Sequence, residues 1–185
     1  MNRIKTWAAV LSVTSPLWLV AALPAQQPSA RADEGCGSFT WNLTREFAAL
    51  KEPATLLPAA ADAKANAARL KEGQHVTATL LPLGSVSFVT PPSRQQQTDS
   101  PTGGMLFFKS GAAGHYRISL TSKHWIDILD DGKPIESISH EGRTRCDLLH
   151  KAVEFELPAN RELVIQLSGD DAATVSMVVT SVAKE

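Results

Sequence analysis

From His75 onward the chain alternates apolar and polar residues in short runs. HVTATLL sets Val76, Ala78 and Leu80 against Thr77 and Thr79, and SVSFV turns Val86 and Phe88 inward. A period of two marks a strand with one buried face, because successive side chains leave opposite sides of the pleat. Residues 90–104, TPPSRQQQTDSPTGG, carry prolines, glutamines and glycines but no aliphatic side chain, and they predict a loop. Alternation then resumes through MLFFK, HYRISL, WIDILDD, KPIESISHE, KAVEFEL, ELVIQLSG and TVSMVVTSV. Asp131-Gly132, between WIDILDD and KPIESIS, is the pair that tolerates the positive φ of a tight hairpin turn. About nine strands at roughly ten-residue intervals predict an all-β fold. Strands with one apolar face must be stacked as two sheets, so the expected architecture is an antiparallel β-sandwich, jelly-roll-like, with a short N-terminal helix.

Upstream the pattern changes. Phe39, Trp41 and Leu43 alternate, and TREFAALK over 44–51 then uses good helix formers and stops before Pro53. This predicts an extended lead and about two helical turns, with Trp41 and Phe47 anchored on the sandwich. Residues 54–72 are rich in alanine and poor in large apolar side chains, which leaves open a marginal helix or an extended linker. The expected organisation is a signal peptide over 1–32, an N-terminal segment and linker over 33–74, and the sandwich over 75–185.

The signal peptide is read from Arg3 and Lys5, the uncharged oily stretch from Thr6 to Ala25, and the small-x-small pattern Ala30-Arg31-Ala32, with Leu23-Pro24-Ala25 as a second cleavage site. An uncleaved anchor is the alternative, since about 20 apolar residues can span a bilayer. Membrane contact is expected only through that segment. Pro16 and the absence of a basic stop-transfer flank favour cleavage and a periplasmic or secreted protein. Three of the eighteen basic residues and none of the nineteen acidic ones precede Asp33, so the remainder is mildly acidic. Without a basic run it has no electrostatic footprint for nucleic acid. In an exported chain the isolated pair Cys36 and Cys146 reads as a disulfide, whose long loop is worth about 4 to 5 kcal/mol on a chain-entropy model.

Several motifs resemble a known group. Gly114-His115-Tyr116, Trp125-Ile126-Asp127, Phe155-Glu156-Leu157-Pro158 and Leu167-Ser168-Gly169 occur in the order seen in secreted sandwich domains related to bacterial pre-peptidase C-terminal domains. With Cys36, Trp41 and the Cys146 loop added, the chain resembles more closely a group of uncharacterised exported proteobacterial β-sandwich proteins of this size. Some similar sequences carry a homogentisate 1,2-dioxygenase label. That label implies a non-haem iron site of two histidines and a carboxylate.

The residues offer His75, His115, His124, His140 and His150, with Asp127, Glu141 and Glu154, but no two histidines one residue apart on a strand face. There is no G-x-S-x-G elbow and no glycine-rich phosphate loop. No catalytic residue, cofactor or metal is assigned. The polar cluster to test is Trp125, Asp127, Asp130 and Asp131. Trp125 and Asp127 share the outer face of their strand, where an indole beside a carboxylate can hold a sugar or peptide and close carboxylates can hold Ca²⁺. The opposing expectation is that the segment carrying Trp41 covers Trp125 while Asp130 and Asp131 make the turn. The reading drawn is a non-catalytic binding or accessory module whose partner is a small molecule, a glycan or an envelope protein. The alternative is a small metal-dependent, non-haem iron dioxygenase-like enzyme.

Overall fold

A computed structural model describes residues 35–64, 69–94 and 98–182. The signal peptide expected over 1–32 lies outside the described residues. After a 3-10 turn at Cys36–Ser38 comes α1 (Thr44–Lys51), followed by β1 (Thr55–Pro58), β2 (Arg69–Leu70), β3 (Val76–Thr79) and β4 (Leu81–Pro82). A second 3-10 turn, Leu83–Ser85, precedes β5 (Thr102–Lys109), β6 (Gly114–Leu120), β7 (Trp125–Asp130) and β8 (Lys133–Ile135). The chain finishes with β9 (Ser137–Gly142), β10 (Lys151–Leu157), β11 (Glu162–Asp170) and β12 (Thr174–Ser181).

These strands form two sheets, in the orders β1-β3-β12-β6-β10-β9 and β2-β5-β11-β7-β8, with β4 also pairing with β5. The fold is an all-β sandwich. Its interior holds Ile118, Leu120, Phe155 and Met177 from the first sheet against Leu106, Phe108, Ile128 and Ile165 from the second. The hairpin read at Asp131-Gly132 is present: Asp130 pairs with Lys133, and φ is 49° at Asp131 and 74° at Gly132.

Several expectations need correction. The sheets are mixed rather than purely antiparallel, because β1 runs parallel to β3 and β2 parallel to β5. Residues 54–72, for which the sequence leaves helix and extended linker both open, carry β1 and β2 and a bend and turn over 61–64 where described, since edge pairing gains more than an alanine-rich helix with few large apolar side chains gains alone. SVSFV is not a strand; only Ser87 bridges, to Asp62. KPIESIS is two strands, β8 in the second sheet and β9 in the first, with the crossing at Glu136.

The predicted loop also ends early, because Thr102, Gly103 and Gly104 begin β5. A Cβ on Gly103 would lie 2.5 Å from the Leu167 carbonyl oxygen and 2.8 Å from Leu83 Cδ1. One on Gly104 would lie 2.5 Å from Ala59 Cβ. These strand glycines mark close approach of neighbouring chain. Residues 86–94 then run as a strap over the outer face of the second sheet, so β5 and β11 are covered on both sides; β5 carries the continuous apolar run MLFF, and β11 keeps buried Gln166 and Ser168 among its apolar residues.

The outer face of the first sheet carries α1. Leu43 and Leu50 pack on Leu149, Ala152 and Val178, flanked by Phe39, Trp41 and Phe47 as expected. Buried Glu46 accepts a hydrogen bond from Thr180 Oγ1 at 2.6 Å and faces Arg117 at 3.7 Å. Arg117 also pairs with Glu154 at 2.6 Å and lies 4.8 Å over Trp41. The Cys36–Cys146 disulfide ties this N-terminal layer to the chain preceding β10.

Candidate ligand-binding cleft

Trp125 opens β7 opposite Ser168 of β11, and Ser168 is opposite Gly103 of β5, so the three positions form one row across the second sheet. The next row is Met105, Gln166 and Asp127. The strap is fastened on that second row. Gln166 Oε1 accepts from the backbone N–H of Val89 at 2.8 Å, and its Nε2 donates to the Thr90 carbonyl at 3.1 Å. Asp127 accepts from the Ser93 backbone N–H at 3.1 Å and from the Ser93 hydroxyl.

Trp125 and Asp127 therefore share the face expected for them, and Trp125 Nε1 donates to Asp127 Oδ1 at 3.1 Å and to Ser93 Oγ at 2.6 Å. Their cover is the strap. The segment bearing Trp41 packs with α1 on the other sheet. Asp130 is taken by Arg161, with Nε and Nη2 each 2.8 Å from Oδ1, and Asp131 is the exposed turn residue. The three aspartates do not converge. Among the described residues no group of three or more His, Cys, Asp or Glu side chains is placed to hold a metal ion, so the ligand set implied by the dioxygenase label is not assembled there.

What does converge is a cleft of about 690 Å³ at the end of the sandwich, lined by residues of β7, β9, β10, β11 and the strap. Trp125 and Ser168 line it, together with Arg94, Lys123, Lys151 and Asp170. Arg94 Cζ is 5.2 Å and Lys151 Nζ 5.8 Å from the Trp125 ring centroid, within the range of cation–π attraction. Lys151 Nζ also donates to the Lys123 carbonyl at 3.2 Å. Burial, and then the Arg94 guanidinium, push the Lys151 amine down to about 8, against the pull of Asp170. Ser168 is buried, and its Oγ has no hydrogen-bond partner among the described residues. A buried hydroxyl left so is uncommon.

Behind this wall His124 is wholly buried. Ser122 Oγ lies 2.7 Å from its Nδ1, and Thr102 Oγ1 lies 3.0 Å from its Nε2. Thr102 donates to the Ala172 carbonyl at 2.7 Å, so its oxygen accepts from Nε2–H, and Ser122 donates to Nδ1. The imidazole is thereby neutral, and burial drives its pKa down to about 4, partly opposed by Asp170. Ser122, His124 and Asp170 have the composition of a nucleophilic triad but not its arrangement. Ser122 and Asp170 both face Nδ1, where a triad needs base and orienting carboxylate on opposite nitrogens. Burial raises the Asp170 carboxyl, but the backbone N–H groups of Lys123 and Asp171 outweigh it and hold it below its ordinary range.

Of the cluster Trp125, Asp127, Asp130 and Asp131 only Trp125 lines this cleft; Lys151, Arg94 and Ser168 are additions to it from the structure. Lys151 was detectable as the one charge in the inward series Lys151, Val153, Phe155 and Leu157. Arg94 lay inside a loop with no periodic signal. No protein-family model, curated protein or solved structure matches the chain.

Proposed function

We propose that the protein is an exported, non-catalytic binding or accessory module whose ligand occupies the cleft beside Trp125. The observation that carries this reading is the convergence on one concavity of an indole, a half-buried ammonium and a buried serine whose hydroxyl has no partner among the described residues. Its volume falls in the range of small-molecule sites, about 300–1,000 Å³. His124 and Asp127 are spent on the walls, which suits a rigid receptor. The oily leader and the disulfide support export, where thiols are oxidised. The motif order shared with pre-peptidase C-terminal domains fits an accessory role.

The test is a thermal-shift screen of the disulfide-intact protein against sugars, short peptides and small organic ions. A true ligand raises the melting temperature in a concentration-dependent way. Trp125→Ala removes that response while the far-UV circular dichroism and cooperative unfolding persist. A response that survives Trp125→Ala places the ligand elsewhere and overturns the assignment.

A further inference from the structure

We infer that the cleft takes a small organic anion, its carboxylate or phosphate held among Lys151 Nζ, the Arg94 guanidinium and Ser168 Oγ. This rests on the cleft being the binding site. Like charges brought together in a partly desolvated place repel one another, and Arg94 and Lys151 are both drawn to the Trp125 indole. An anion between them replaces that repulsion with charge-assisted hydrogen bonds, which are the stronger kind. Ser168 supplies the third donor. Its hydroxyl is buried without a partner among the described residues, and the residue stands in the row of Trp125 and lines the cleft. A hydroxyl in that state regains a hydrogen bond when a ligand oxygen arrives.

The cleft also carries carboxylates, Asp170 and Asp171. Asp170 is already engaged by the N–H groups of Lys123 at 2.8 Å and Asp171 at 3.0 Å, and it faces His124. Its charge is thus largely answered by backbone N–H groups of the β6–β7 and β11–β12 connections. The indole contributes a flat apolar wall for the body of the ligand, so a simple inorganic ion should bind less tightly than an organic one of the same charge.

The test is calorimetric titration of the disulfide-intact chain with benzoate, glucose 6-phosphate and inorganic phosphate, and with benzyl alcohol and glucose as neutral counterparts. Benzoate or glucose 6-phosphate should bind saturably, about tenfold or more tighter than its neutral counterpart, and which of the two does so separates a carboxylate from a phosphate ligand. Lys151→Met should abolish that binding and yet raise the melting temperature, because it removes a desolvated charge; Lys151→Arg should retain it. Ser168→Ala should weaken it about tenfold. A lysine that served only the fold would not separate binding from stability in this way. Equal affinity for the neutral counterparts, or anion binding that persists in Lys151→Met, overturns the anion assignment and leaves the binding-module reading standing. No saturable binding of any of these probes, with no response in the wider thermal screen, removes both.

Discussion

His124 and Lys151 are two titratable side chains whose burial gives stability a pH dependence. For His124 the folded value of about 4 lies below the ordinary 6.5. Between those limits the unfolded chain binds a proton that the folded chain refuses, so stability is full above 6.5 and falls as the pH drops toward 4. The integrated loss is on the order of 3 kcal/mol. Urea midpoints measured between pH 4 and pH 7 should show this limb, and His124→Gln should flatten it. Lys151 titrates near 8 instead of 10.5, with Arg94, Asp170 and the Trp125 ring facing it. Between these values the unfolded chain again holds the extra proton, so this residue makes stability rise with pH. Anion affinity should fall over the same interval as the ammonium is lost, and titrations at pH 7 and pH 9.5 would show the opposite slopes.

The strap over 86–94 contributes Arg94 to the cleft and holds the Trp125 indole through Ser93. Its fastening is mostly to Gln166 and Asp127, side chains of β11 and β7 that look like ordinary polar positions on outward faces. Gln166→Ala leaves the Val89 and Thr90 backbone groups without their partner and should destabilise the protein by about 1–3 kcal/mol. Hydrogen exchange at Val89 and Thr90 should accelerate more than in β6 or β12, and Trp125 fluorescence should shift to the red as its cover loosens. Equal acceleration everywhere would mean that the strap is not a separate unit. The α1 layer on the opposite face is fastened by burial of Leu43 and Leu50 and by the Arg117, Glu46 and Glu154 ion group.

Across the whole molecule two apolar clusters share the first sheet. The larger lies between the sheets and contains no residue of α1 or the disulfide; the smaller joins Leu43, Leu50 and Cys146. Reduction of Cys36–Cys146, which are 110 residues apart, should therefore lower stability by up to about 4 to 5 kcal/mol without dissolving the sandwich. Urea unfolding with and without reductant, followed by far-UV circular dichroism, measures the change. Reduced protein that is already unfolded in buffer would show that the staple, rather than the inter-sheet core, holds the fold. The layered plan was legible because Ile118, Leu120 and Phe155 each sit between polar neighbours, so that their strands show one apolar face to the interior. Gly103 and Gly104 misled because glycines that admit a neighbouring chain look like glycines that make a loop.

Local chemistry, read residue by residue, determined the strands of the centre, the Asp131-Gly132 turn, the short helix and the pairing of the only two cysteines. Each depends on periodicity, on a backbone preference or on a count. Tertiary structure decided which extended pieces became edge strands, that β8 and β9 part company between sheets, and that a proline-rich strap covers Trp125. It also brought Lys151, Arg94 and Ser168 to one cleft from β10, the strap and β11. Such meetings are set by how sheets stack and where connections cross, and the interactions that reward them join residues far apart along the chain.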